Sequence, residues 1–113
     1  MTVLDPGLLV AASSVALQHE PLPASQVVSG EPTTGTLVLD DREGREIGVW
    51  EMTPGTATDT EVDEVFVVLA GRATVSFEGL PSIDLAPGSV VRLTEGMRTT
   101  WVVHETLRKV YLA

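Results

Sequence analysis

The stretch Glu64-Val65-Phe66-Val67-Val68-Leu69-Ala70-Gly71 decides the fold. Its β-branched and aromatic residues, closed by a glycine, spell a short strand that ends in a turn. Alternation puts Glu64, Phe66 and Val68 on one face and Val65, Val67 and Leu69 on the other. Both faces beyond Glu64 are apolar, so we expect burial on both sides, between two sheets or in a barrel wall. Glu64 is the one ionisable group of the stretch and lies at its mouth. Whether it does chemistry decides most of the functional question.

Outward from this strand the pattern is all-β from Gly35 on. Thr36–Leu39 and Ile47–Met52 read as a hairpin around the polar turn 40–45, and Pro54-Gly55 breaks the return strand. Thr56–Asp63 reads as a polar, acidic loop. Arg72–Glu78 alternates, with Ala73, Val75 and Phe77 on one side. Turns at 79–82, at Pro87-Gly88 and at Glu95-Gly96 separate Ile83–Leu85, Ser89–Leu93 and Thr99–Val103, and Leu107–Leu112 closes the chain. Many short strands at even spacing mean a sandwich or small barrel. Residues 20–113 form that domain. Residues 1–19 form an N-terminal extension, expected to be a strand or short helix docked on the barrel or on a partner. Its apolar positions fit neither period, and Asp5-Pro6 could cap a helix. From His19 to Thr34 the chain is extended and punctuated by turns, with His19 solvated.

At 113 residues the chain fits one domain, and its hydrophobic fraction of 43% suits an ordinary globular core. A net charge of −9 argues against nucleic acid and anionic membrane as partners. With no cysteine there is no disulfide framework, thiolate nucleophile or cysteine metal site. The apolar run Leu8–Ala12 is too short to span a bilayer, and no Lys or Arg precedes Arg42. The expectation is a cytoplasmic protein.

Pro54-Gly55, Glu64 and Gly71 seven apart, Leu85-x-Pro87-Gly88 and Gly96 together resemble the cupins, which are RmlC-like jelly-roll β-barrels. Gly48-Val49-Trp50, the ending from Trp101 through Glu105 and Arg108-Lys109 to Tyr111, and Ser29-Gly30-Glu31-Pro32 narrow the likeness. They are similar to the (S)-ureidoglycine aminohydrolase-like and ethanolamine-utilisation-type cupin domains. The resemblance covers residues 20–113. It implies an all-β, single-domain cupin and says little about activity, because one fold hosts many functions.

Cupins carry a motif with two histidines before the glutamate, and a second motif with a further histidine. Here Thr58 and Thr60 stand at the first two places, or Ala57 and Asp59 at the longer spacing, and Thr99 stands at the third. A first-row metal wants three or four N, O or S donors at about 2 Å. One carboxylate among threonines is a poor cage, so we expect a degenerate site with no metal and no cofactor. Glu61, Asp59 and Asp63 could only recruit a hard, oxygen-loving ion.

Parity fixed by Glu64 and Thr99 turns Glu64, Phe66, Val68, Thr99, Trp101 and Val103 inward, and Thr58 and Thr60 complete the candidate pocket. Trp101 and Phe66 also serve as plain barrel filling. Burial could raise the Glu64 pKa and make it a general acid or base. His104 falls on the opposite face. Trp50 is expected at the rim or in a subunit contact. Arg108 and Lys109 read as solvated or paired with acids such as Glu105, although a desolvated lone lysine could form a Schiff base. The leading expectation is a binder of a small metabolite, paired as a homodimer. A ureidoglycine-aminohydrolase-like or related hydrolase/isomerase using Glu64 is the alternative, and a structural or regulatory partner protein is the third. An enzyme would hold stoichiometric metal through Glu64, a binder would show an open pocket, and a structural partner would show a filled barrel.

Overall fold

The structure, a computed structural model, describes residues 4–113. Among the described residues it is a jelly-roll β-barrel curled from one antiparallel sheet of nine strands. In chain order these are β1 (His19–Pro21), β2 (Val27–Ser29), β3 (Thr33–Asp40), β4 (Ile47–Met52), β5 (Gly55–Thr60), β6 (Glu64–Phe77), β7 (Leu80–Leu85), β8 (Val90–Leu93) and β9 (Arg98–Leu112). The only helical piece among the described residues is a single 3₁₀ turn, Arg42–Gly44. No helix there is long and apolar enough to cross a membrane.

Two long strands organise the barrel. β6 and β9 pair along their whole length, from Val65 opposite Leu112 to Phe77 opposite Thr99. Each then serves both halves of the sheet. The last residues of β9 pair with β4 (Met52 opposite Leu107) and its first residues with β5 (Gly55 opposite Val103). β6 divides likewise between β8 and β7. The result is one half-barrel of β1, β3, β4, β9, β6 and β8, and another of β2, β5, β9, β6 and β7.

The hinge between the halves falls at Gly71, where the register against β9 slips between Val68 and Ala73. Gly71 has φ 92°, and a Cβ there would collide with the Thr106 carbonyl. Only glycine permits both that conformation and that approach. The expected stop after Gly71 is therefore a bend within one strand. Thr99–Val103 and Leu107–Leu112 are likewise one strand, bent at the exposed His104, Glu105 and Thr106.

Along the bent pair the inward positions alternate as expected: Phe66, Val68, Ala73 and Val75 from β6 meet Trp101, Val103, Leu107 and Tyr111 from β9 in the core. The outward face of β6 departs from expectation. Val65, Val67 and Leu69 are only half-buried, so one side alone is sealed. Thr56–Asp63, read as a loop, supplies β5 through Thr60, because the β9 edge offers a ladder that its polar side chains do not oppose. Strand β7 also begins at Leu80, inside the expected turn.

Residues 4–18 form neither strand nor helix; residues 1–3 lie outside the described residues. The segment docks by its backbone. Leu4 N–H donates to the Leu39 carbonyl, and Arg108 Nη1 donates to the carbonyls of Ala12 (2.9 Å) and Val15 (2.7 Å). His19 is not solvated, because its ring nitrogens bond Thr33 Oγ1 at 2.9 Å and Glu51 Oε1 at 2.7 Å.

Candidate functional site

The barrel opens between β4, β5, β6 and β9 on a cavity of about 390 Å³. Strand alternation aims its key side chains. On β9, continuing the parity of Thr99 and Trp101 past the bend turns Lys109 and Tyr111 inward. Trp50 stands directly opposite Lys109 on β4, and Glu64 opens β6 nearby. Trp50 thus lines the cup wall.

Lys109 Nζ donates to Glu64 Oε2 at 2.6 Å. The same ammonium lies 4.4 Å from the Phe66 ring centroid, 4.7 Å from Trp50 and 5.1 Å from Trp101. Trp101 in turn packs on Trp50 and Phe66, at 5.7 and 5.8 Å between centroids. A cation held over ring faces is attracted by their quadrupoles, more so when desolvated. Lys109 is 5% exposed, so of the two readings, solvated or paired with an acid, it is the pair that forms, with Glu64 as the acid. Glu105 pairs instead with Arg72, and Arg108, also buried, donates Nε–H to Glu51 Oε2 at 2.8 Å on the outer face. Glu64 is thus one half of an ion pair, not the lone buried carboxyl expected.

Two further carboxylates set the cup's shape. Glu61 is 7% exposed, and its Oε2 accepts from Thr99 Oγ1 (2.6 Å) and Trp101 Nε1–H (3.0 Å), so a buried charge is hydrogen-bonded and the indole held in place. Tyr111 O–H donates to Glu46 Oε2 at 2.6 Å, and its ring fills the space a side chain on Gly48 would need. Burial, then the Glu46 carboxylate, drives the Tyr111 phenol well above its ordinary value, so it stays a donor. Asp59, exposed at the mouth, has its carboxyl pushed up, first by burial against the wall and then by Glu61.

Of the residues the sequence singled out, Glu64, Trp101, Thr58 and Thr60 line the cup. Phe66, Val68 and Val103 point inward but pack in the core beneath it. Thr99 lines a neighbouring cavity that shares Thr58, Asp59 and Thr60. His104 points outward, its Nε2 3.2 Å from Thr74 Oγ1. Lys109, Trp50, Tyr111 and Glu46 are the members that sequence reasoning did not place in the cup. The parity of β9 carried two residues beyond Leu107 would have found Lys109.

The residues do not fit the metal that cupins carry. Among the described residues no three His, Asp, Glu or Cys side chains converge as a cation site. At Glu64, the carboxylate at the ligand position, the lysine ammonium already occupies the place of a bound cation.

The EutQ-like cupin domain matches residues 39–111, and the chain belongs to that family. A protein of unknown function from Pseudomonas syringae pv. tomato is 24% identical, with TM-score 0.77 over 88% of this chain; the chain spans 45% of that one. The EutQ protein of Clostridium difficile is 21% identical, with TM-score 0.62 over 72% of this chain and 61% of its own. A cupin-like protein from Thermotoga maritima is 15% identical, with TM-score 0.65 over 88% of this chain and 80% of its own. At these identities the likenesses show the fold. No curated protein matches the chain.

Proposed function

We propose that this protein binds a small metabolite in the cup between β4, β5, β6 and β9. The observation that carries the reading is an open cavity walled by two tryptophans and by an internally paired lysine. Concave sites with apolar walls and a few fixed polar groups are the usual form of small-molecule sites. Four carboxylates (Glu46, Asp59, Glu61 and Glu64) face a single lysine there, which favours neutral or donor-rich ligands over anions. An open cup also supports this reading over a purely structural role, for which the barrel would be filled.

A hydrolase or isomerase acting through Glu64 is supported by one observation, the Lys109 ammonium beside it as a proton source. We also propose a cytoplasmic homodimer, with exposed Leu80 and Val90 on β7 and β8 as apolar surface for pairing of sheet edges.

A thermal-shift screen of small metabolites, read in parallel by tryptophan fluorescence, tests the reading. The fluorescence comes from the cup alone, since Trp50 and Trp101 are the only tryptophans. A ligand at a hundredfold its Kd adds about 2.7 kcal/mol of stability. Trp50→Leu should abolish that shift while the protein still folds. A screen in which every stabilising ligand acts equally on Trp50→Leu would place binding elsewhere and refute the cup.

A further inference from the structure

Lys109 is the only lysine of the chain, and its surroundings are unlike those of a surface lysine. Three aromatic rings cover its ammonium, one carboxylate stands at 2.6 Å, and the residue borders the open cavity. Folding does not call for such a pair. Taking two charges out of water costs about what their attraction returns, and apolar residues of similar volume commonly fold as well or better. Resting on the cup as a ligand site, we propose that Lys109 is a carbonyl-capturing amine. It forms an imine with a small uncharged aldehyde, and Glu64 is its proton partner.

Each proton has a place. The ammonium passes one to the Glu64 carboxylate along their hydrogen bond, and the freed lone pair adds to the carbonyl carbon. The C=O π pair moves to oxygen, which takes the proton from Glu64. The nitrogen, now bearing one proton too many, returns it to the same carboxylate. In the carbinolamine the nitrogen lone pair then expels the hydroxyl, which leaves as water with that proton. One aldehyde and one ammonium give one protonated imine and one water, with no oxidant or reductant. The rings of Trp50 and Trp101 lie where an alkyl group on that carbon would pack, and Glu46, Asp59 and Glu61 disfavour anionic oxo acids.

The experiment uses the full chain with propanal and sodium cyanoborohydride, which reduces the imine to a stable amine. Peptide mass then follows labelling at Lys109, with the α-amino group as internal reference. Lys109 should label at least tenfold faster in the folded protein than in the guanidinium-unfolded chain. Glu64→Gln, shown folded by circular dichroism, should lose that advantage, and Glu64→Asp should keep part of it. Glyoxylate, an anion, should gain less from folding than propanal does. A folded rate no greater than the unfolded one overturns the proposal without recourse to any variant. So does an undiminished rate in folded Glu64→Gln, or a gain for glyoxylate equal to that for propanal. If ligands still shift tryptophan fluorescence while Lys109 labels slowly, the cup reading stands and the imine is refuted.

Discussion

At Glu51, burial and hydrogen bonding pull the carboxyl in opposite directions. Burial alone would raise its pKa, but hydrogen bonds from Arg108 and His19 outweigh that and hold it below the ordinary 4.5. A carboxyl depressed by folding contributes stability that is whole above that ordinary value and is lost as pH falls below it. Denaturant melts between pH 6 and pH 3 should therefore show an acid-side loss that is smaller in Glu51→Gln. An equal acid slope in both proteins would mean that the Arg108–Glu51–His19 group does not drive it. The Lys109–Glu64 pair obeys a different rule. Removing one partner leaves a buried charge and costs about 3 kcal/mol, whereas removing both is nearly neutral. Glu64→Leu should accordingly be destabilised by that order, and the double variant Glu64→Leu/Lys109→Met restored to near wild type, in urea unfolding. Glu64 was legible as a site candidate because it is the only charge on an apolar strand. Parity carried past Val103 would have placed Lys109 as well, although Arg108 beside it is buried on the opposite face. No local pattern says that both neighbours of a strand end are covered, since residues 12–15 provide that cover from 93 or more residues away.

Elements follow from their edges as much as from their residues. β5 carries Thr56, Thr58, Asp59 and Thr60, a composition that reads as loop, yet it is a strand because β9 presents an unpaired edge there. β-propensity measures fit to a half-buried surface, and this surface is supplied by distant chain. The strands before Gly71 and after it were both legible; their continuity was not. A glycine with positive φ reads as a turn, and only the contact with Thr106 shows that this one bends a continuing strand. The contrast with Gly79 gives a test. Gly79 has φ 80° in a turn, with open space where a Cβ would go. Gly79→Ala should cost about 1 kcal/mol, the ordinary penalty of left-handed backbone for an L-residue. Gly71→Ala adds a collision with backbone and should cost roughly 3 kcal/mol or more, if the protein folds at all. Comparable urea midpoints for the two variants would show that β6 does not hinge on Gly71.

For the whole molecule the decisive fact is which cation the barrel contains. A jelly roll whose inward residues converge on one cup is suited to hold a positive centre there. This chain places threonines at the expected donor positions and brings an ammonium in from β9 on a covalent tether. The ammonium cannot dissociate, and it leaves no second nitrogen donor for a divalent ion. Metals should therefore contribute nothing to stability. A ligand that binds only the folded state raises stability by RT ln(1 + [L]/Kd), so a tight ion would shift the melting temperature by several degrees at modest concentration. Protein purified in a chelator and then titrated with manganese, nickel or zinc to tenfold excess should melt at one temperature throughout, with unchanged emission from Trp50 and Trp101. A stoichiometric rise that disappears in Glu64→Gln would show that the carboxylate releases its lysine for a metal. The ion pair would then be a resting state of the cup and not its permanent furniture.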